Sequence, residues 1–130
     1  MADGLQTTNL ANAWLNVLNN TTFTGIATTF VQLHTGSPGA NGTANVSSVT
    51  TRPSVTWNAA SSGSISESNT PTWSSWAGTN GEVVTDISVW SASSSGTFYF
   101  SAALSSSKTV NTGDTLELTT LTVALTPLAA

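Results

Sequence analysis

The sequence predicts a mainly β protein, a β-sandwich or jelly-roll-like domain carrying one N-terminal α-helix. Three observations predict it. Apolar residues recur at helical spacing in one stretch, where Leu10, Trp14, Val17 and Leu18 stand at i, i+4, i+7 and i+8. Beyond that stretch the apolar period changes to two, as in strands with one buried face. Gly, Pro, Asn and Ser interrupt the alternating runs at short intervals, the pattern of short antiparallel strands. The 130 residues suit one domain. It divides into an N-terminal arm (1–7), a helix (about 8–19), a β body (about 26–125) and an apolar tail (126–130).

The helix has Thr8 or Asn9 available as N-cap and Asn19-Asn20 as a stop. Thr29 to His34 reads as a strand with Val31 and Leu33 on one face. Residues 36–45 then pile up Gly, Pro, Asn and Thr in a loop. Ser54 to Ala59 is a second strand, with Val55 and Trp57 sharing a face, and Gly63 to Ser68 is a short, weak third. Pro71 to Trp76 precedes the turn Ala77-Gly78-Thr79-Asn80-Gly81. The clearest alternation follows: Val83, Thr85, Ile87 and Val89 face one way, and Val84, Asp86, Ser88 and Trp90 the other. Ser91 to Gly96 turns the chain into a hairpin whose second strand carries Phe98, Phe100, Ala102 and Leu104 on its apolar face. Leu116 and Leu118 are in phase, but Leu121, Val123 and Leu125 are slipped by one residue, which predicts a bulge or bend at Thr119-Thr120.

Charge is sparse, with 2 Lys and Arg against 6 Asp and Glu, and Ser and Thr make up about a third of the chain. Two cations cannot neutralise a phosphate backbone, so nucleic-acid binding is excluded. Without cysteine there is no disulfide framework and no thiolate metal site. No apolar run reaches the roughly twenty residues that span a bilayer, so no membrane partner is expected. The polar, acidic start Met1-Ala2-Asp3-Gly4 predicts no signal peptide.

His34 is the single histidine. It lacks a Gly-x-Ser-x-Gly elbow to serve, and a lone histidine closing a strand commonly bonds a loop carbonyl, so no catalytic residue is assigned. Glu82 and Asp86 share a strand face four residues apart and are expected to be solvated rather than a glycosidase pair. One histidine cannot anchor zinc and no EF-hand spacing occurs; neither metal nor cofactor is expected. The loop Gly36-Ser37-Pro38-Gly39-Ala40-Asn41-Gly42 has no Gly-Lys-Ser/Thr ending and leads into no helix, so it is not a phosphate cradle. Gly39 and Gly42 are expected to supply positive φ for successive turns. The loop is then either an interaction surface, through Pro38 and Asn41, or a structural Ω-loop. One of Trp57 and Trp90 belongs to the core. Trp73 and Trp76, flanking Ser74-Ser75, are either core or aromatic faces offered to a sugar or a protein neighbour.

The order of four motifs carries a resemblance: Leu-His-Thr-Gly-Ser-Pro-Gly-Ala-Asn-Gly-Thr-Ala-Asn at 33–45, Arg-Pro-Ser-Val-Thr-Trp at 52–57, Val-Thr-Asp-Ile-Ser-Val-Trp-Ser-Ala at 84–92 and Thr-Val-Asn-Thr-Gly-Asp-Thr-Leu at 109–116. Together they resemble a family of small tailed-bacteriophage virion proteins commonly labelled phage tail fibre proteins, over roughly residues 5–125. The chain departs from the family pattern at Ser37 and Val46, where an acid is usual, leaving its loop uncharged. The resemblance implies a non-enzymatic virion structural protein. No heptad, collagen-like or β-helical repeat is present, so a compact building block is expected.

Within the particle the expectation is a capsid decoration (cement) protein on the head, seated on the major capsid protein through terminal arms. The alternative is a tail fibre or tail-tip component, including a carbohydrate-binding adhesion module stacking glycans on Trp73, Trp76 and Tyr99. Little charge protects the chain from association, so a homotrimer is expected. The candidate protein contacts are Leu10, Trp14, Pro38, Asn41, Trp73 and Trp76.

Overall fold

A computed structural model describes residues 3–125; the predicted tail (126–130) lies outside them. The architecture is mainly antiparallel β with one N-terminal helical segment, as the sequence predicts. The segment winds through a π turn (Thr7–Ala11), an α turn (Asn12–Leu15) and a 3-10 turn (Asn16–Asn19). Its cap is Gln6, whose side chain accepts the Asn9 N–H, rather than Thr8 or Asn9. Asn20, at φ 54°, ends it in the left-handed conformation that Asn tolerates.

Eight strands follow: β1 (Thr29–His34), β2 (Ser54–Val55), β3 (Ser64–Ser66), β4 (Thr72–Trp73), β5 (Glu82–Trp90), β6 (Phe98–Val110), β7 (Leu116–Glu117) and β8 (Thr122–Ala124). A four-stranded sheet has the order β2-β1-β5-β6, and β3-β8 and β4-β7 form two short ribbons. The second layer of the fold is thus a pair of ribbons rather than a full sheet.

Register explains which side chains meet. Leu33 lies opposite Ile87, Val31 opposite Val89, and these in turn opposite Ala102 and Phe100. The row forms the apolar face and shares one core with Leu10, Val55, Trp73, Trp76, Val84, Val110 and Leu121. The predicted bend between Leu118 and Leu121 carries the chain from one ribbon to the other. There the Glu67 carboxylate accepts the Leu121 N–H at 2.7 Å. An extended chain could not switch ribbons at that point without leaving such a donor unpaired.

Two irregularities in the β5–β6 pairing correct the predicted faces. Between Val84 and Asp86 the register shifts, so Val84 turns into the core and Val83 is left 43 % exposed, reversing the predicted phase of the first residues. Between Val89 and Trp90 a second shift sets Trp90 opposite Phe98. Phe98 therefore stacks against Trp90 on the other face, ring centroids 5.3 Å apart, instead of joining Phe100. Arg52 lies 4.2 Å above the Trp90 ring and donates to Gln32 Oε1 and to the carbonyls of Ala92 and Ser95, fixing the hairpin turn.

The arm does not stand free of the body. Ser101 N–H donates to Gly4 O at 3.0 Å and Gln6 N–H to Tyr99 O at 2.7 Å, with Leu5 opposite Phe100, so residues 4–6 cover the outer edge of β6. An uncovered edge would present unpaired donors and acceptors.

Candidate functional site

Two regions concentrate the candidate residues. The first is the face of the sheet opposite the core, where Gln32, His34, Asp86, Ser88 and Ser101 are all buried. The loop after β1 seals it. Thr35 N–H donates to Asn45 O at 2.8 Å, Ala44 N–H to Pro38 O at 2.9 Å, Gly42 N–H to Gly39 O at 3.0 Å, and Asn45 Nδ2 to Ser37 O at 2.9 Å. Gly39 and Gly42 take φ of 75° and 71°, as the turn chemistry predicts. Gly42 packs where a Cβ would stand 2.7 Å from Phe98 and 2.9 Å from Trp90. The loop is thus bonded to itself and pressed onto the sheet. Pro38 is buried beneath it, whereas Asn41, at its tip, faces solvent with Ala40 and Thr43.

Under the loop His34 Nδ1 lies 2.8 Å from Ala44 O, and Nε2 lies 2.7 Å from Ser88 Oγ. A carbonyl can only accept, so Nδ1 carries the proton and Nε2 accepts from Ser88, which itself accepts the Trp90 Nε1–H at 2.7 Å. Neutral His34 satisfies every member of this chain of bonds. Protonating Nε2 would aim two N–H groups at one serine oxygen and leave the serine proton to find another acceptor. Burial accordingly pushes the imidazole below its ordinary value, against the smaller upward pull of the Ala44 carbonyl and Asp86. The serine–histidine spacing is that of a nucleophile and its base, but neither residue has any exposed surface, so no substrate reaches them.

The acids expected to be solvated are structural instead. Asp86 is buried and accepts from Thr85 Oγ1. Glu82 accepts from Ser47 Oγ and from the Ser48 N–H, tying the end of the loop to β5. Burial pulls the Glu82 carboxyl upward, but the combined Ser47 and Ser48 bonds hold it below its ordinary value. On the arm, Asp3 sits beside Asp86 and Ser101 with one oxygen buried and unpartnered, and burial holds its carboxyl above the usual range.

The second region is an apolar groove of about 580 Å³ between the helix, the β2 edge and the β3-β8 ribbon. Leu10 and Trp14 form one wall. Ile26, Val55, Trp57, Tyr99, Phe100 and Val123 are among the other lining residues, and none of those that line it is charged. Two of its polar groups bond one another: Trp57 Nε1 donates to Thr29 Oγ1 at 2.8 Å, and Thr29 Oγ1 donates to Val55 O at 3.0 Å. A mostly apolar, uncharged lining of this kind suits an apolar chain segment.

The helix's predicted apolar stripe runs out of this groove. Leu10 is 2 % exposed and Trp14 half-buried, but Val17 is 52 % and Leu18 90 % exposed, because the body ends beneath the second half of the helix. Leu15 is exposed beside them.

The structure therefore brings Leu10 and Trp14 together in one groove and separates them from Pro38 and Asn41. Trp73 and Trp76, the predicted stacking platforms, are core. They are 4 % and 2 % exposed, and their indole N–H groups donate to Thr51 O and Thr79 O. Tyr99 is half-buried in the groove. Sequence reasoning missed Trp57, Ile26 and Val123 as groove residues. The shared face of Val55 and Trp57 was the available signal.

A search of curated proteins gives no match. A family profile described as podophage GP4 fiber I protein gp80 matches residues 6–126. That span takes in the helix, the sealed loop, the groove and all eight strands, and the chain belongs to the podophage GP4 fiber I protein gp80 family, which makes it a phage fibre-type virion component.

Proposed function

We propose that the protein is a non-catalytic building block of a phage tail fibre, acting through contacts with copies of itself, as a trimer, and with neighbouring virion proteins. The observation that carries this reading is the family match over the whole folded body. The fibre description supports the tail alternative over the capsid decoration protein expected from the sequence. The fold supports a structural role in two ways. The one serine–histidine pair is sealed, and three exposed large apolar residues, Leu15, Val17 and Leu18, cluster within four residues on the second half of the helix. A cluster of that kind is characteristic of a protein contact.

The test is copy number in purified virions, measured by quantitative mass spectrometry against the major capsid protein. A fibre subunit is expected in a small multiple of the tail's symmetry. A count comparable with the capsid lattice would reinstate the decoration reading.

A further inference from the structure

We infer that the segment from Gly4 to Asn19 is exchanged between copies, each chain's arm and helix seating on the β6 edge of a neighbour and forming one wall of its groove. What covers the β6 edge is on view: the segment itself. It is held by two backbone bonds to β6, by Asn9 Nδ2 donating to Phe98 O at 2.9 Å, and by insertion of Leu10 into the core. Every one of these contacts is between the segment and the body, so each forms identically when the segment comes from a second copy.

The connector permits it. Among the described residues, 22–28 make no backbone–backbone hydrogen bond, and only Phe23 and Ile26 pack against the core. Fully extended, those seven residues span about 23–25 Å. Gly25 has open space around it. Reorienting the connector therefore breaks no ladder, displaces two half-buried side chains and releases one long bond, Thr28 Oγ1 to Ser91 O at 3.4 Å.

The exposed residues supply the second argument. Leu15, Val17 and Leu18 stand at the end of the helix that joins the connector. In an exchanged assembly the connectors of neighbouring copies run side by side, and this is the surface they cover. A closed monomer leaves the same three residues in water. The inference rests on the fibre-subunit reading only in requiring that copies meet.

The chain has no cysteine, so a disulfide reports the exchange directly. Gln6 stands opposite Tyr99 in the antiparallel register of Leu5 and Phe100, joined by the Gln6 N–H to Tyr99 O bond, and residues so opposed have Cα atoms about 5.5 Å apart, which suits a disulfide. The variant Gln6→Cys with Tyr99→Cys is oxidised at a concentration where the wild type is oligomeric by light scattering, then run on a denaturing gel without reductant. Exchange predicts that most of the protein migrates as covalent multimers that collapse to single chains on reduction. Oligomers in solution whose chains are all bridged internally would overturn exchange and leave the fibre reading standing. Single, internally bridged chains from a protein that never self-associates would overturn exchange and self-assembly together. Should the variant not fold, Leu5→Cys with Phe100→Cys, the adjacent opposed pair, gives the same readout.

Discussion

Gly42→Ala is the sharpest probe of how the loop is seated. Two costs add at this position. The backbone φ of 71° is left-handed, which costs an L-residue about 1–2 kcal/mol. The new methyl would lie 2.7 Å from Phe98 Cδ2, 2.8 Å from Phe98 Cγ and 2.9 Å from Trp90 Cζ2. Both rings are buried against one another, and Arg52 lies over Trp90, so they cannot retreat freely; overpacking of this kind costs about 1–3 kcal/mol. The lower entropy of an alanine in the unfolded chain returns about 0.4–1 kcal/mol. The net expectation is a destabilisation of about 1–4.5 kcal/mol, combining these terms. Urea unfolding followed by tryptophan fluorescence measures it, and two control glycines separate the terms. Gly113 has φ 89° and nothing within 4 Å, so Gly113→Ala bears the backbone cost alone. Gly25 has neither feature, so Gly25→Ala is expected to be neutral or slightly stabilising. If Gly42→Ala and Gly113→Ala cost the same within about 0.5 kcal/mol, the loop is not pressed onto Trp90 and Phe98 and the sealed-face account fails.

Two further outcomes follow from the same contacts. Because His34 is held below its ordinary value of 6.5 in the folded state, the unfolded chain binds the proton more readily; stability is full above that value and falls as pH drops below it. Ring nitrogen shifts in NMR should show a neutral Nδ1–H tautomer predominating at pH 6.5, and a mostly protonated imidazolium there would contradict the bonding to Ala44 and Ser88. Leu18→Ser should leave the stability of the single chain within about 0.5 kcal/mol, since the residue is 90 % exposed, yet weaken self-association. Burying one leucine contributes about 1.5–3 kcal/mol, so the dissociation constant should rise by about tenfold to a hundredfold per contact in sedimentation experiments.

The sequence disclosed what depends on local pattern. β1 and the hairpin of β5 and β6 follow from alternation and turn residues, and the slip after Leu118 marked the change of ribbon. It concealed what depends on pairing between distant strands. Val84 and Phe98 turned to unexpected faces because register shifts reset the alternation, and nothing local to either residue signals a shift. Glu82 and Asp86 looked solvated because a strand pattern does not reveal that a loop will cover its polar side. The same cover explains His34: its bond to a loop carbonyl was foreseeable, whereas Ser88, 54 residues away, was not. In the candidate site, the stripe from Leu10 to Leu18 was visible, but the point at which the body stops beneath it was not. The tryptophans were the hardest case, since an indole in the core and one on the surface have the same neighbours in sequence until a partner such as Thr51 O or Thr79 O is placed.

The most direct measurement is the position of the protein on the particle. Gold-labelled antibody against the folded chain, imaged on intact virions by electron microscopy, should decorate appendages at the tail vertex and leave the capsid faces bare. Label distributed evenly over the head, or found only after the particle is broken open, would contradict the fibre account.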